Sequence, residues 1–251
     1  MPKERPCVLS IAGFDPSGGA GVLADIKTFE ANKVFGFGVI TCLTFQNESE
    51  FEGVKWIETN EILKQTELLF KKHKIEYVKI GMMKDLETLE EIISKLNAQC
   101  STLKFIWDPI LKASAGFEIN KTVNKKKVED ICKNIFLITP NLDEIKTLMN
   151  EKDEMIATKE LSEYCNVFLK GGHSEKNKGK DYLFTIQGKV YPFRAKKIAE
   201  NRKHGSGCVL SSAITANLAR GSNLQRACLE GKNYVTKLLM SNKNLLGYHH
   251  V

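Results

Sequence analysis

Residues 7–27 read Cys7-Val8-Leu9-Ser10-Ile11-Ala12-Gly13-Phe14-Asp15-Pro16-Ser17-Gly18-Gly19-Ala20-Gly21-Val22-Leu23-Ala24-Asp25-Ile26-Lys27. The apolar run 7–12 meets a loop, 13–19, rich in glycine and proline, and the chain then turns helical through Asp25 and Lys27. A short apolar run bounded by such breakers predicts a buried strand, and the stretch behind it predicts a helix. The unit repeats: strands are expected at 38–46, 77–81, 103–108, 135–139 and 167–170, with helical patterns between them. Strands alternating with helices predict an α/β fold with a mostly parallel sheet, covered on both faces and joined by right-handed crossovers.

Asn60 can cap a helix whose Ile62, Leu63, Leu69 and Phe70 share a face, and Asp85 another that carries Leu86, Leu89, Ile93 and Leu96. A further helix is expected to carry Val128, Ile131, Cys132 and Ile135. Segments 182–186 and 189–194 read as a hairpin around Gly188, and two helices, 207–220 and 223–242, close the chain. Ligands in such folds sit beyond the carboxyl ends of the strands, where the unusual polar clusters of this sequence also fall.

The length of 251 residues and 42% hydrophobic content suit one large domain, 1–251, able to bury a sizeable core. The longest apolar stretches, such as 36–45, are shorter than a bilayer span, and residues 1–5 hold no apolar signal core. A membrane partner is excluded on these grounds, and the cytoplasm is the expected location. Seven cysteines without a Cys-x-x-Cys pair argue against a disulfide framework. The net charge of +7 is spread over short runs at 71–72, 125–127, 196–197 and 202–203 with no aromatic-rich basic stretch. That pattern argues against a nucleic-acid partner and leaves a mild attraction for phosphorylated ligands.

Two glycine loops carry the chemistry. In the first, Gly13, Gly18, Gly19 and Gly21 let backbone approach a ligand closely. Gly19, Gly21 and Ala24 fit the spacing of a dinucleotide fingerprint, but six residues separate them from the strand, and no Gly-Lys-Ser/Thr of a Walker loop is present. In the second, His204-Gly205-Ser206-Gly207-Cys208 opens a helix whose successive N–H groups would form an anion hole for a transferring phosphoryl group. The positive helix end would lower the Cys208 pKa and favour thiolate; a buried small cysteine is the other reading.

Thr139-Pro140-Asn141-Leu142-Asp143-Glu144 also opens a helix. Asn141 and Glu144 share a face and could hold waters of a hydrated Mg²⁺, or could simply cap the helix. Asp108 ends a strand before Pro109, and Lys170 meets Gly171-Gly172-His173, where it is either a phosphate contact or a solvated lysine. His173, His204, His249 and His250 have no zinc-ligand spacing.

Together these residues resemble the hydroxymethylpyrimidine and phosphomethylpyrimidine kinases of thiamin synthesis, within the ribokinase-like superfamily. The resemblance rests on Ala12-Gly13 with 15–21, Ala24-Asp25-Ile26-Lys27-Thr28-Phe29, Gln46-Asn47, Lys79-Ile80-Gly81-Met82, Asp108-Pro109, Thr139-Pro140-Asn141 with Glu144, Lys170-Gly171-Gly172-His173 and 204–208. It implies a three-layer αβα fold and a transferase that moves phosphate from ATP to the hydroxymethyl group of a small pyrimidine and then to the monophosphate. Gln46 would bind the aminopyrimidine, Gly13, Ala20, Met82 and Ile110 would line its pocket, and Asp15 and Asp25 would join the substrate side. Cys208 would stand where most of the superfamily has its catalytic aspartate, with Gly205, Ser206 and Gly207 as anion hole. Lys170 and Asn141 would contact the nucleotide, Asp108, Asn141 and Glu144 would organise Mg²⁺, and a homodimer is the common assembly.

The chain departs from that pattern at Phe14 and Phe45, which are bulkier than expected beside the pocket, and at Arg202-Lys203, where an Asn-Thr-like pair is usual. The stretch 149–166 is also short, whereas the ending 247–251 resembles the family's own. A pyridoxal or pyridoxine kinase, a non-catalytic small-ligand-binding protein on the same fold and a nicotinamide oxidoreductase are the alternatives.

Overall fold

The computed structural model describes residues 4–111, 123–171, 179–194 and 202–249. Its described strands form one nine-stranded sheet in the order β3-β2-β1-β4-β5-β6-β7-β8-β9. The strands are β1 Cys7–Phe14, β2 Phe35–Gln46, β3 Phe51–Trp56, β4 Ile75–Ile80, β5 Lys104–Trp107, β6 Leu137–Ile138, β7 Asn166–Leu169, β8 Lys180–Phe184 and β9 Val190–Arg194. The six from β2 to β7 run parallel, while β3 at one edge and the β8–β9 hairpin at the other are antiparallel.

The helices are α1 Gly21–Ala31, α2 Thr59–Lys72, α3 Leu86–Gln99, α4 Lys125–Cys132, α5 Leu142–Met149, α6 Glu154–Leu161, α7 Ser206–Ala219 and α8 Leu224–Leu239. They make two layers, α2 to α6 over one face and α1, α7 and α8 over the other. Alternation along the strands feeds both: in β5, Phe105 and Trp107 join the core under α2 to α6, and Ile106 joins Leu210 and Ile214 of α7. This is the expected three-layer α/β arrangement. β1 has β2 on one side and β4 on the other, so the strand order reverses there and leaves a crevice at the carboxyl ends. No described helix is long and apolar enough to cross a membrane.

Several local expectations need correction. α2 is capped by Glu58, in a reciprocal capping box with Glu61; the Asn60 side chain accepts only from the next N–H. α4 stops at Cys132, so Ile135 is buried in the turn ahead of β6, which is shorter than the expected strand at 135–139. β3 was not expected, since Gly53 interrupts its run and its outer edge is unpaired. Asp85 does cap α3, accepting from the Thr88 N–H at 2.7 Å. His173, His250, Lys196 and Lys197 lie outside the described residues.

Candidate active site

Asp108, Thr139 and Lys170 follow β5, β6 and β7, and the backbone bonds continue one step beyond each strand. Asp108 N–H donates to the Ile80 carbonyl at 2.8 Å, Thr139 N–H to Trp107 at 2.9 Å and Lys170 N–H to Pro140 at 2.8 Å. Three polar side chains are thereby set side by side on a rigid rim. Lys170 Nζ donates to Asp108 Oδ1 at 2.9 Å and faces Glu144 Oε2 at 3.6 Å, and Thr139 Oγ1 donates to the same Asp108 oxygen at 3.2 Å. Lys170 is mostly buried, not a solvated lysine. Burial alone would lower its pKa, but Asp108 and Glu144 more than reverse that and hold it charged. Burial raises the Glu144 carboxyl to about 6 against the pull of Lys170.

α7 begins against this group. A Cβ on Gly207 would lie 3.4 Å from Lys170 Nζ and 3.8 Å from Asp108 Oδ2, so the backbone at the start of α7 lies against these charges. Gly205 sits at φ 69°, and a Cβ there would overlap the Gly19 carbonyl. α7 has no side-chain cap and no acid in its first turn, and the same holds for α1, whose N-cap is Ala20. Two uncapped helix starts and a fixed ammonium therefore converge, which makes an anion site with a built-in counter-charge.

The first glycine loop is held by Asp15. Its carboxylate accepts from Ser17 N–H at 2.9 Å, Ser17 Oγ at 2.8 Å and Ala20 N–H at 2.8 Å, and meets His204 Nε2 at 2.8 Å. Burial would raise this carboxyl, yet those bonds hold it below the ordinary carboxylate value. Asp15 is 1% exposed and thus organises the loop from beneath. Asp25 lies deeper still. It is fully buried, accepts from Ser10 Oγ and Ser212 Oγ at 2.6 Å each, and pairs with Lys79 at 2.8 Å. The expected substrate contact for Asp25 is corrected: it stands under the site.

Cys208 lies above this pair. Burial pushes its thiol up to about 12, against the pull of Lys79 and of the Gly21 N–H, which donates to its sulfur. The expected lowering by the helix end is therefore overturned, because desolvation of a sulfur in a sealed position outweighs a partial charge. Cys208 is a thiol at neutral pH.

On the crevice side, Gly13 packs against Met82 and Cys42, where a Cβ would come within 2.8 Å of Cys42 Sγ and 3.5 Å of Met82 Sδ. Half-buried Gln46 ends β2, its Nε2 donating to Thr44 Oγ1 at 2.9 Å. Ala20 and Ile110 are also half-buried near the same rim. Phe14 is half-buried, while Phe45 is 56% exposed on the β2–β3 hairpin.

For Asn141 the structure realises the capping alternative. Its side-chain oxygen accepts from Asp143 N–H at 2.9 Å and Glu144 N–H at 2.8 Å, and Glu144 returns the bond to Asn141 N–H at 2.7 Å. This is a capping box, and it uses the oxygen that a metal or its water would need. Among the described residues no three His, Cys, Asp or Glu side chains converge on a metal position. The carboxylates of Asp108 and Glu144 fit a magnesium ion held mainly by phosphates and water, which suits its reluctance to shed its hydration shell.

Lys79 went unassigned in the sequence. A lysine inside the apolar run of β4 was the available signal, since a charge there requires a buried partner.

An enzyme that moves phosphoryl groups on an α/β scaffold is what this sheet and this anion-binding rim define. The family profile described as phosphomethylpyrimidine kinase matches residues 15–251. A hydroxymethylpyrimidine/phosphomethylpyrimidine kinase from Aquifex aeolicus is 35% identical, covering 94% of this chain and 95% of its own, and the Escherichia coli enzyme of that name is 32% identical, covering 94% and 91%. Among solved structures, phosphomethylpyrimidine kinase from Clostridium difficile superposes with a TM-score of 0.78 at 30% identity, covering 93% of this chain and 99% of its own. Pyridoxal kinase from Bacillus subtilis, solved as an ADP complex, superposes with 0.80 at 27% identity, covering 94% and 92%. The chain belongs to the phosphomethylpyrimidine kinase family.

Proposed function

We propose that this protein, as one kinase domain, transfers the γ-phosphoryl group of ATP to the hydroxymethyl group of 4-amino-5-hydroxymethyl-2-methylpyrimidine and then a second phosphoryl group to the monophosphate, in thiamin synthesis. The observation that carries the reading is Lys170, fixed between Asp108 and Glu144 directly against the Gly207 backbone.

The hydroxymethyl oxygen forms a bond to the γ-phosphorus as the bond to the β,γ-bridging oxygen breaks, ADP leaves, and the hydroxyl proton passes to solvent water. A loose transition state places most of the demand on positioning and on stabilising charge over the phosphoryl oxygens. The N–H groups at the start of α7 and the Lys170 ammonium supply that stabilisation. Gln46 reads the ring amine, and Gly13, Ala20, Met82 and Ile110 hold the ring flat. Burial pushes the Cys208 thiol well above the ordinary range, so it is held as a thiol at neutral pH. Cys208 therefore orients the hydroxymethyl oxygen as a thiol and is not the resting base. Asp108 and Glu144 would hold a magnesium ion through water, and that ion would supply charge neutralisation on the phosphates.

The same reading places the protein in the cytoplasm, in keeping with seven free cysteines, and as a homodimer, in keeping with the family resemblance. Likeness to pyridoxal kinase favours one second reading, a ring hydroxymethyl of pyridoxal as acceptor. Initial rates with ATP and magnesium on the hydroxymethylpyrimidine, its monophosphate and pyridoxal test the choice: the pyrimidines should be turned over far faster, and efficient use of pyridoxal alone would overturn it.

A further inference from the structure

Lys203 stands just before the anion-binding loop, and it does not reach for solvent. The residue is 6% exposed. Its ammonium donates to the Asn242 carbonyl at 2.8 Å, to Asn242 Oδ1 at 2.7 Å and to the Asn244 carbonyl. An ammonium has three N–H donors and no acceptor, so three oxygens saturate it. All three acceptors are neutral, and among the described residues no carboxylate pairs with it. Burial lowers its pKa accordingly. Enclosing a cation this way costs free energy that a surface lysine avoids, and charge-assisted bonds offset it only while the cage stays intact.

The cage is well supported. Asn242 Oδ1 also accepts from Asn244 N–H at 2.8 Å, and Asn242 Nδ2 donates to the Leu246 carbonyl at 3.0 Å. The neighbouring His204 N–H donates to the Leu245 carbonyl at 3.0 Å. The tail beyond α8 thus grips the two residues that launch Gly205. Leu246 and His204 each come within 2.7 Å of where a Gly19 Cβ would lie, so the tail also braces the first glycine loop.

We infer that Lys203 is a positioning residue: its ammonium fastens the 242–246 tail to the base of the anion-binding loop and so sets the N–H groups of 205–207 for phosphoryl transfer. This inference rests on the kinase reading above. A displacement of about 1 Å in catalytic groups costs on the order of a hundredfold in rate, which sets the scale of the effect.

The test compares wild-type protein with Lys203→Met and Lys203→Ala, each checked for its far-UV spectrum. In folded Lys203→Met, kcat should fall roughly tenfold to a hundredfold while KM for the pyrimidine stays within about twofold. In Lys203→Ala, ammonium chloride should restore part of the lost kcat by entering the oxygen cage, whereas tetramethylammonium, which has no N–H, should not. Wild-type kcat in Lys203→Met overturns the inference, as does a Lys203→Ala defect that the two salts relieve equally or not at all. If Lys203→Met fails to fold, Asn242→Ala decides, since it removes one acceptor and keeps the lysine: lowered kcat with an unchanged spectrum supports the anchor, and unchanged kcat overturns it. A wild-type protein that phosphorylates no ring hydroxymethyl compound would sink the kinase reading instead. Hydrogen exchange at the His204 and Gly205 amides then judges the anchor alone: faster exchange in Lys203→Ala, slowed by ammonium, supports it, and equal exchange overturns it.

Discussion

Lys79 and Asp25 meet at 2.8 Å with neither side chain exposed, beneath the thiol of Cys208. Burial alone would lower the Lys79 pKa, but the carboxylate of Asp25, helped by Asp108, keeps it charged. The pair joins β4 to α1, and Ser10 of β1 and Ser212 of α7 complete the shell. Four elements that must meet at the site are thus tied at one carboxylate.

Removing one partner leaves the other as an uncompensated buried charge. Lys79→Met should lower unfolding free energy by about 3–5 kcal/mol in urea titration. The double variant Lys79→Met with Asp25→Asn should regain part of that, because an amide still accepts from the serines. A single variant with wild-type stability would show that the pair does not hold the elements together.

Cys208→Ala should reduce turnover by an order of magnitude or more and shift the thermal midpoint by only a few degrees, because a small thiol is lost from a packed helix start. In the wild-type pH–rate profile, no rising limb near neutrality should belong to Cys208, since its thiol ionises near 12. A limb near pH 7 that disappears in Cys208→Ala would show a thiolate base after all.

The depressed carboxyl of Asp15 makes an acid-side prediction. A group whose folded pKa lies below its unfolded value contributes stability above the unfolded value, about 3.9, and loses it as pH falls through the folded one. Wild-type stability should therefore decline below about pH 4, whereas Asp15→Asn should be less stable at neutral pH and show a shallower acid decline. Parallel curves for the two proteins would remove Asp15 from that dependence.

Gly205→Ala tests the contact between the two glycine loops. With φ at 69° and the Gly19 carbonyl in the way, the methyl group has to displace backbone. The variant should lose at least about 1 kcal/mol of stability and most of its activity, read by denaturant titration and initial rates. Unchanged activity would mean that the loop spacing is slack.

What could be read from the chain follows from the range of each interaction. Strand and helix alternation, the Asp85 cap and the hairpin around Gly188 depend on neighbours a few residues apart, and these expectations matched the structure. The rim residues Asp108 and Lys170 were legible because each ends an apolar run; Thr139, which bonds Asp108, was not picked out. The spacing of Asn141 and Glu144 suits a capping box and a hydrated metal equally, and only the position of the Asn141 oxygen separates the two. The thiol state of Cys208 depends on burial by α1 and β4, and the partner of Asp25 lies on another strand, so neither follows from local pattern. β3 escaped because Gly53 breaks an edge strand that has only one neighbour.

The most direct test of the central claim is ³¹P NMR of the wild-type protein with 4-amino-5-hydroxymethyl-2-methylpyrimidine, ATP and magnesium. The predicted result is a pyrimidine monophosphate signal that rises first and gives way to the diphosphate as ADP accumulates. A spectrum in which the pyrimidine stays unphosphorylated, while pyridoxal under the same conditions is converted to its phosphate, would contradict the account.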